Sequence, residues 1–385
     1  METFDIKTKI YFGDNALDHL CDLPYRKVFV ITDPFVVKSG MAELILSRLK
    51  KAGAETEVFD GVVPDPPISE ISKGVEQMLA YGPDAVVAVG GGSAIDSAKS
   101  IREIGSRAQG GEVPPLIAIP TTSGTGSEVT RFSVITDPDA GKKYPLVADE
   151  LLPDEAILDA ELVRTVPPGI TADTGMDVLT HAMEAYVSSD ANEFSSALAE
   201  KAVEICGAFL LRSYFDQGDT HARKKMHVAS CLAGLAFNSA SLGLNHGIAH
   251  TLGAHFHIPH GRANAIVLPH IIEFNSDINE HSRSRKEYLP SVRKYIQLAK
   301  LLGLNNFNEI TTVRALTNWV QFMLKEMNMP LSVAQCGVDR ESYFAKLDDM
   351  AESALADSCT ATNPRRPSKE DVLRILKDLY GEEEA

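Results

Sequence analysis

The alternation of two kinds of segment along the first 160 residues constrains the fold of this chain most. Four short runs have the apolar, β-branched composition of buried strands: KVFVIT (27–32), TEVFDGV (56–62), DAVVAV (84–89) and PLIAIP (115–120). The segments between them have the spacing of amphipathic helices: 40–52, 68–81 and 93–104. Because strands that alternate with helices form βαβ units, the sequence predicts a parallel sheet with helices on both faces.

The pattern changes at Pro167-Pro168-Gly169, a triplet that disfavours a continuous helix across it. Beyond it, the chain consists of long helical segments rich in Ala, Leu and Met, with few strand signals. A length of 385 residues also favours two hydrophobic cores over one. We therefore predict an α/β domain over residues 1–168 and an all-α domain over residues 169–385.

Composition restricts the partners and the compartment. The net charge is −16, whereas nucleic-acid binding needs clustered Lys and Arg. The five cysteines are scattered and form no C-x-x-C pair, which argues for a reducing compartment. The stretch METFDIKTKIYFG lacks the apolar core of a signal peptide, and no apolar run approaches the roughly 20 residues of a membrane span. We expect a cytoplasmic globular protein with no nucleic-acid or membrane partner.

Two glycine-bearing loops follow neighbouring predicted strands. The first places Gly90, Gly91, Gly92 and Ser93 between a strand and a helix, where bare backbone lets a phosphate reach the N–H groups of the helix N-terminus. The second loop lies within IAIPTTSGTGSEVT (117–130). Each alone is also compatible with a tight turn. Together they indicate a nucleotide-binding crevice at the carboxyl edge of the sheet.

Asp33 follows the strand KVFVIT directly. A carboxylate at a strand end can accept hydrogen bonds from the ribose hydroxyls of NAD and would repel the 2′-phosphate of NADP. The alternative is an Asp that caps a turn or helix before Pro34. The usual G-x-G-x-x-G fingerprint of dinucleotide-binding proteins does not occur, so the local sequence leaves both interpretations open.

Asp177 and His181 lie four residues apart in TGMDVLTHAMEAYVS (174–188), which has a helical pattern. That spacing places both side chains on one face of a helix, about one turn apart. An oxygen and a nitrogen donor so placed can chelate a divalent ion. The alternative is an Asp–His hydrogen bond on a helix, which the pair alone favours.

The stretch NHGIAHTLGAHFHIPHG (245–261) holds five histidines: His246, His250, His255, His257 and His260. The first two lie four apart in a helical pattern, and Pro259 indicates that the last lies in a turn. Three imidazoles and one carboxylate would suit Fe(II) or Zn(II). The spacing does not determine which of the five would bind.

Seven motifs occur in order along the chain: PDPP (64–67), GGGSAIDSAK (90–99), PTTSGTGSE (120–128), LLPDEAILD (151–159), TGMDVLTHAMEAYVS, NHGIAHTLGAHFHIPHGRANAIVLPH (245–270) and NPR (363–365). In this order they resemble the iron-containing (group III) alcohol dehydrogenases over almost the whole chain. Three segments are similar to the branch of 1-propanol dehydrogenases from bacterial propanediol-utilising microcompartments: KYPLVADELLPDEAILD (143–159), KMHVASCLAGLAF (225–237) and LGLNHGIAHTLG (242–253).

The resemblance implies residue roles in both domains. It places the metal ligands at Asp177, His181, His246 and His260, and a catalytic proton-relay histidine at His250. It places the cofactor-binding residues at Asp33, Gly91, Gly92, Ser93, Thr121, Thr122, Ser127 and Lys143. Among these, Asp33 would select NAD over NADP, and Lys143 would lie near the nicotinamide ribose. His255 and His257 receive no role.

The resemblance also implies a fold and an activity. The fold is the one shared by dehydroquinate synthases and iron alcohol dehydrogenases. The activity is reversible, NAD(H)-linked reduction of a short-chain aldehyde, for example propionaldehyde, to a primary alcohol, with Fe(II) as the metal and Zn(II) as the alternative. A glycerol or diol dehydrogenase is the nearest alternative. A dehydroquinate synthase-like lyase is a weaker one, because it needs a basic phosphate site and Lys and Arg are few near the histidines.

The expected partners are the small alcohol or aldehyde substrate and further copies of the chain, as a homodimer or a higher homo-oligomer. The microcompartment branch adds a second location, inside a bacterial microcompartment, with shell proteins or other enzymes as partners.

Overall fold

The computed structural model describes residues 3–110, 112–137, 142–279, 282–283, 287–304 and 307–381. The chain divides into two compact units, Met1–Val166 and Pro167–Ala385. The predicted boundary, after residue 168, lies two residues C-terminal to this division. It falls inside the first turn of a helix that begins at Pro168. Proline suits that first helical position, because its missing N–H would have no partner within the helix there.

The described residues of the first unit form eight strands: β1 (Lys9–Phe12), β2 (Lys27–Thr32), β3 (Glu55–Phe59), β4 (Ala85–Gly90), β5 (Leu116–Pro120), β6 (Phe132–Asp137), β7 (Lys142–Val147) and β8 (Glu155–Leu158). Six form one sheet in the order β1-β8-β5-β4-β2-β3, and every pair in it is parallel. Strands β6 and β7 form a separate antiparallel pair. The predicted parallel sheet is confirmed.

In the part of this unit that the structure describes, four α-helices accompany the sheet: α1 (Pro34–Lys38), α2 (Met41–Lys51), α3 (Ile68–Tyr81) and α4 (Gly92–Gln109). Alternate residues of β2 enter different hydrophobic clusters: Val30 packs with Ile45 of α2, whereas Ile31 packs with Ile101 of α4. A strand buried on both faces needs an unbroken apolar run, which KVFVIT supplies from its second residue to Ile31.

The second unit contains ten α-helices within its described residues: α5 (Pro168–Val187), α6 (Glu193–Phe215), α7 (Thr220–Ala240), α8 (Leu244–Phe256), α9 (His260–Ser276), α10 (Pro290–Leu301), α11 (Glu309–Glu326), α12 (Arg340–Ala345), α13 (Leu347–Ala356) and α14 (Lys369–Tyr380). A short 3-10 helix, Ser358–Thr362, follows α13. The described part of residues 167–381 forms no strand, which confirms the predicted all-α architecture.

Helix α5 is buried along most of its length, because it packs against α6, α7 and α9. Polar side chains on such a helix must find partners inside the protein. Three of them, Asp177, His181 and Glu184, lie along one side at spacings of four and three residues.

Among the described residues, no single helix combines the length and apolar character required to cross a bilayer. One pair, α7 and α8, meets these criteria only when taken together, and the two helices are bent by 108°.

Candidate metal centre and nucleotide-binding loops

Four side chains from three helices converge in the second unit. Asp177 and His181 come from α5, His246 from α8 and His260 from the first position of α9. Each offers one ligand atom, and these four atoms all lie within 4.8 Å of one another. Asp177 Oδ1 lies 3.9 Å from His181 Nε2, 4.0 Å from His246 Nε2 and 3.6 Å from His260 Nε2.

The donor set and its spacing fit a transition-metal ion. Bonds of about 2.0–2.2 Å in a tetrahedral site place the ligand atoms ~3.4 Å apart. The three separations from Asp177 Oδ1, of 3.6 to 4.0 Å, are close to this value. The side chain of His260 is 43% exposed, whereas the other three are at most 5% exposed, so the cluster is accessible from one side. One carboxylate and three imidazoles suit Fe(II) and Zn(II).

The reversal between α8 and α9 carries His260 back to the cluster. His257 ends α8 in the left-handed conformation, with φ 54°, and its N–H donates to Gly253 O. Pro259 then precedes α9, so His260 begins a new helix. Gly261 allows α9 to meet α5 closely, because a Cβ there would lie 2.1 Å from the carbonyl oxygen of Asp173. His257 thus acts as a helix cap.

Glu184, which sequence reasoning missed, supports His246. Its carboxylate contacts His246 Nδ1 and accepts the Asn245 backbone N–H at 2.8 Å. Burial raises the pKa of Glu184 to about 8, against the opposing effect of backbone N–H donors. A carboxylate on the far nitrogen of a ligating imidazole fixes the ring and directs Nε2 to the metal. The signal in the sequence is its position seven residues after Asp177, on the same side of α5.

Asn264 was also missed, and it touches three of the four ligand atoms. Its Nδ2 donates to Asp177 Oδ1 at 2.8 Å and lies 3.0 Å from His246 Nε2 and 3.1 Å from His260 Nε2. The side chain of Asn245 donates to Asn264 Oδ1 at 2.9 Å, which directs the amide nitrogen of Asn264 to the ligands. The spacing of four residues places Asn264 and His260 on one side of α9, whereas the contacts with Asp177 and His246 form through the packing of α5, α8 and α9.

His250 lies beside the cluster, one turn after His246 on α8. Its ring stacks on that of His260, with centroids 5.4 Å apart and planes 17° apart. Its Nδ1 lies 2.8 Å from Asp357 Oδ2, a partner that sequence reasoning missed. Burial would raise the pKa of Asp357, but hydrogen bonding and charge from His250 outweigh it and hold the pKa below its usual value.

In the first unit, the two glycine-bearing loops pack against each other. Gly91 precedes α4 without a side chain to cap it, and Gly92 and Ser93 form the first turn. The Thr121 N–H donates to Gly90 O at 2.9 Å. A Cβ on Gly91 would lie 3.4 Å from Thr122 Oγ1, so these loops lie in van der Waals contact. The structure therefore brings the predicted phosphate loop and Thr121 and Thr122 together at the carboxyl edge of the sheet.

Asp33 has the capping role considered for it, and its second oxygen lies beside the phosphate loop. One oxygen, Oδ1, caps α1 by accepting the N–H groups of Phe35 and Val36 at 2.8 and 3.0 Å. The other oxygen faces the phosphate loop: a Cβ on Gly90 would lie 3.2 Å from Asp33 Oδ2. Gly90 also has φ 151°, which favours glycine. The cap thus fixes the carboxylate and leaves its second oxygen beside the loop.

Ser127 is 5% exposed, and its hydroxyl bonds within the protein. It donates to Asp96 Oδ1 at 2.5 Å and accepts from Lys99 Nζ at 2.9 Å. Lys99 also donates to the carbonyl oxygens of Thr130 and Phe132, and burial lowers its pKa to about 8. The structure thus places Ser127 in a buried network that ties the second loop to α4.

Lys143 lies in β7, and its side chain falls outside the described residues.

Two family models cover both units. The model described as "Iron-containing alcohol dehydrogenase" matches residues 7–160, and that described as "Fe-containing alcohol dehydrogenase family, C-terminal" matches residues 171–380. The chain belongs to the iron-containing alcohol dehydrogenase family. The resemblance inferred from the motifs is confirmed.

This iron-containing alcohol dehydrogenase is similar to other dehydrogenases over almost its whole length. It is 42% identical over 382 residues to the 1-propanol dehydrogenase of Citrobacter freundii, covering 98% of this chain and 100% of the relative. It is 39% identical over 395 residues to the NADPH-dependent butanol dehydrogenase of Clostridium saccharobutylicum, with 99% and 98% covered. These relatives support the predicted dehydrogenase class.

The fold is similar to that of a solved relative with a bound cofactor. The sulfoacetaldehyde reductase of Bifidobacterium kashiwanohense in complex with NAD+ aligns with a TM-score of 0.85 and 27% identity, covering 99% of each chain. The predicted fold class is confirmed.

Proposed function

We propose that this chain is a metal-dependent, NAD(H)-linked alcohol dehydrogenase that reversibly reduces a short-chain aldehyde such as propionaldehyde to the primary alcohol. The observation that carries the proposal is the cluster of Asp177, His181, His246 and His260, with His250 stacked beside it. The similarity to a 1-propanol dehydrogenase and a butanol dehydrogenase supports a short aliphatic substrate.

The four clustered residues would hold the metal. Iron is the metal that the family description names, and both Fe(II) and Zn(II) suit these donors. Burial and the neighbouring imidazoles lower the pKa of His246, which favours the neutral ring that ligation requires. When bound, the metal supplies Lewis-acid polarisation of the substrate oxygen, and the nicotinamide supplies the hydride.

His250 has the role of handling the proton. In aldehyde reduction, a hydride adds to the carbonyl carbon and the π electron pair of the C=O bond moves to oxygen. His250, or water held by it, then delivers a proton to that oxygen. Aldehyde, NADH and one proton thus become primary alcohol and NAD+. The 43% exposure of the His250 side chain allows it to recover its proton from solvent.

We propose NAD(H) rather than NADP(H) as the coenzyme. The second oxygen of Asp33 beside the phosphate loop supports this, because a carboxylate there repels a 2′-phosphate. Gly91, Gly92, Ser93, Thr121 and Thr122 would contact the pyrophosphate, and Lys143 the nicotinamide ribose. For Ser127 we propose an indirect role, in which its buried hydroxyl holds the second loop in shape.

The test is an assay of anaerobically purified protein loaded with Fe(II). We expect NADH oxidation with acetaldehyde, propionaldehyde and butyraldehyde, loss of turnover on chelation, and recovery when Fe(II) is restored. Full activity in metal-free protein would contradict the proposal. In the reverse direction, preference for glycerol or 1,2-propanediol over 1-propanol would favour the diol dehydrogenase instead.

A dehydroquinate synthase-like lyase needs a free basic group to bind a substrate phosphate. Arg262 is the arginine nearest in sequence to the ligands, and its guanidinium forms two hydrogen bonds with Asp173, at 3.0 and 3.2 Å. This pairing neutralises its charge and disfavours the lyase.

From the sequence resemblance we further propose a homodimer or higher homo-oligomer, located in the cytoplasm or inside a bacterial microcompartment. Light scattering tests the first part, since a monomer at micromolar concentration would contradict it. Co-sedimentation with microcompartment shells in the native host tests the second.

A further inference from the structure

A carboxylate that lies outside the motifs of the sequence, that of Asp357, contacts the ring of His250. We propose that Asp357 is a positioning residue: it accepts the Nδ1–H of His250 and thereby leaves Nε2 as the nitrogen that exchanges the proton with the substrate. The proposal rests on the proposed function, since it concerns the same histidine.

The hydrogen bond selects one tautomer of the ring. His250 Nδ1 lies 2.8 Å from Asp357 Oδ2. A carboxylate only accepts, so Nδ1 must carry the hydrogen. In the neutral ring, the lone pair then lies on Nε2. The stacked ring of His260 restricts rotation of the His250 side chain. The hydrogen bond and the stacking together therefore define the direction of Nε2.

Asp357 is itself held by a separate bond. Its Oδ1 accepts the Cys359 N–H at 2.8 Å and caps the 3-10 helix Ser358–Thr362. Capping alone needs one oxygen, and a Ser, Thr or Asn would supply it equally well. The second oxygen makes the bond to His250. One oxygen therefore caps the 3-10 helix and the other contacts His250, and a substitution that keeps only one carboxamide oxygen can separate these two roles.

Gly247 allows the segment that carries Asp357 to approach α8. A Cβ at position 247 would lie 2.3 Å from Thr360 Oγ1 and 2.9 Å from the Ala354 carbonyl oxygen. Thr360 Oγ1 in turn donates to Ala354 O at 2.6 Å, and this hydrogen bond joins the two ends of the segment 354–360 that contains Asp357. A side chain at 247 would therefore displace the segment and Asp357 with it. This gives a reason for glycine between His246 and His250.

The first test is Asp357→Asn in the metal-loaded holoenzyme. The carboxamide keeps an oxygen for the Cys359 N–H but presents an NH₂ to His250, which would force the opposite tautomer. We expect kcat for propionaldehyde to fall at least about tenfold, as expected when a proton-transfer group is misoriented, while KM changes less and metal content stays at the wild-type value.

The matched control is Asp339→Asn. Asp339 is exposed and caps α12 by accepting the Ser342 N–H at 2.8 Å. Asp339→Asn is therefore the same chemical change at a helix cap that has no role in the proposed reaction. We expect kcat within about twofold of wild type. A kcat for Asp357→Asn that also stays within this range, with the metal bound, would overturn the proposal.

The second test reads the tautomer without turnover. In wild-type protein labelled with ¹⁵N-histidine and loaded with Zn(II), the His250 resonances, assigned by comparison with His250→Gln, should report a protonated Nδ1. A protonated Nε2 with a bare Nδ1 would overturn the proposal even if Asp357→Asn fails to fold. Absence of NADH-dependent turnover in the wild type would contradict the proposed function but leave this tautomer measurement decisive for Asp357.

Discussion

At the residue scale, the main question was which of five neighbouring histidines bind the metal. The spacing of the sequence could not answer it, because the choice depends on where the chain turns. The left-handed conformation of His257 and the position of Pro259 return His260 to His246, and a three-dimensional turn of this kind leaves little trace in helical periodicity. The resemblance to a family supplied the assignment, and the structure places those four ligand atoms together.

The first prediction separates the ligand histidine from the relay histidine. His260→Ala should lose stoichiometric metal, because it removes one of four ligands, whereas His250→Ala should retain the metal and lose kcat. Metal analysis of both variants after identical loading is the measurement. Equal metal loss in the two would mean that the two roles are assigned wrongly.

The second prediction concerns Glu184. Glu184→Gln should weaken metal affinity about 10–100-fold, because the carboxylate that fixes His246 is lost. The measurement is competition with a chromogenic chelator. Glu204→Gln, at an exposed position paired with Lys201 on α6, is the control and should bind metal as the wild type does. An unchanged affinity in Glu184→Gln would show that His246 needs no such support.

The third prediction concerns the coenzyme. Asp33→Ser keeps a side-chain oxygen to cap α1 but removes the negative charge beside the phosphate loop. We expect kcat/KM with NADPH to rise and kcat/KM with NADH to fall. Steady-state assays with both coenzymes measure this. A variant that still rejects NADPH as strongly as wild type would exclude Asp33 as the discriminating charge.

At the element scale, periodicity in the sequence predicted the helices and buried strands well. It did not predict features that depend on tertiary packing. KVFVIT and the 68–81 segment have the predicted bounds in β2 and α3, since each has one strong pattern and clear end signals. The antiparallel pair of β6 and β7 was missed. Both strands lie outside the main sheet and lack a continuous apolar run, so the β-branched residues VIT (134–136) in β6 are only a weak strand signal. Asp357 was missed because its partner His250 lies far away in sequence, and Asn264 because two of its three partners, Asp177 and His246, lie on other helices.

The fourth prediction tests the close contact of α5 and α9. Gly261→Ala should destabilise the protein by about 1–3 kcal/mol and reduce metal content, because its Cβ would push α9 and His260 from α5. Gly169→Ala in the first turn of α5 is the control, since nothing lies within 4 Å of its Cβ. Denaturant unfolding and metal analysis measure both effects. A Gly261→Ala protein as stable and metal-rich as the control would contradict the packing argument.

At the scale of the whole molecule, the candidate cofactor-binding residues and the candidate metal ligands lie in different units. The α/β unit carries the glycine-bearing loops and Asp33, and the helical unit carries every candidate metal ligand. The ligands come from three separate helices, so metal binding should hold α5, α8 and α9 together and stabilise the native state by linkage.

The most direct test of the central claim is titration of metal-free protein with Fe(II) under anaerobic conditions, with NADH-dependent propionaldehyde reduction followed at each addition. We expect activity to rise linearly and to stop rising at one equivalent of metal per chain, and we expect His260→Ala to show no such break. Activity that is full before metal is added, or that bears no stoichiometric relation to it, would contradict the account.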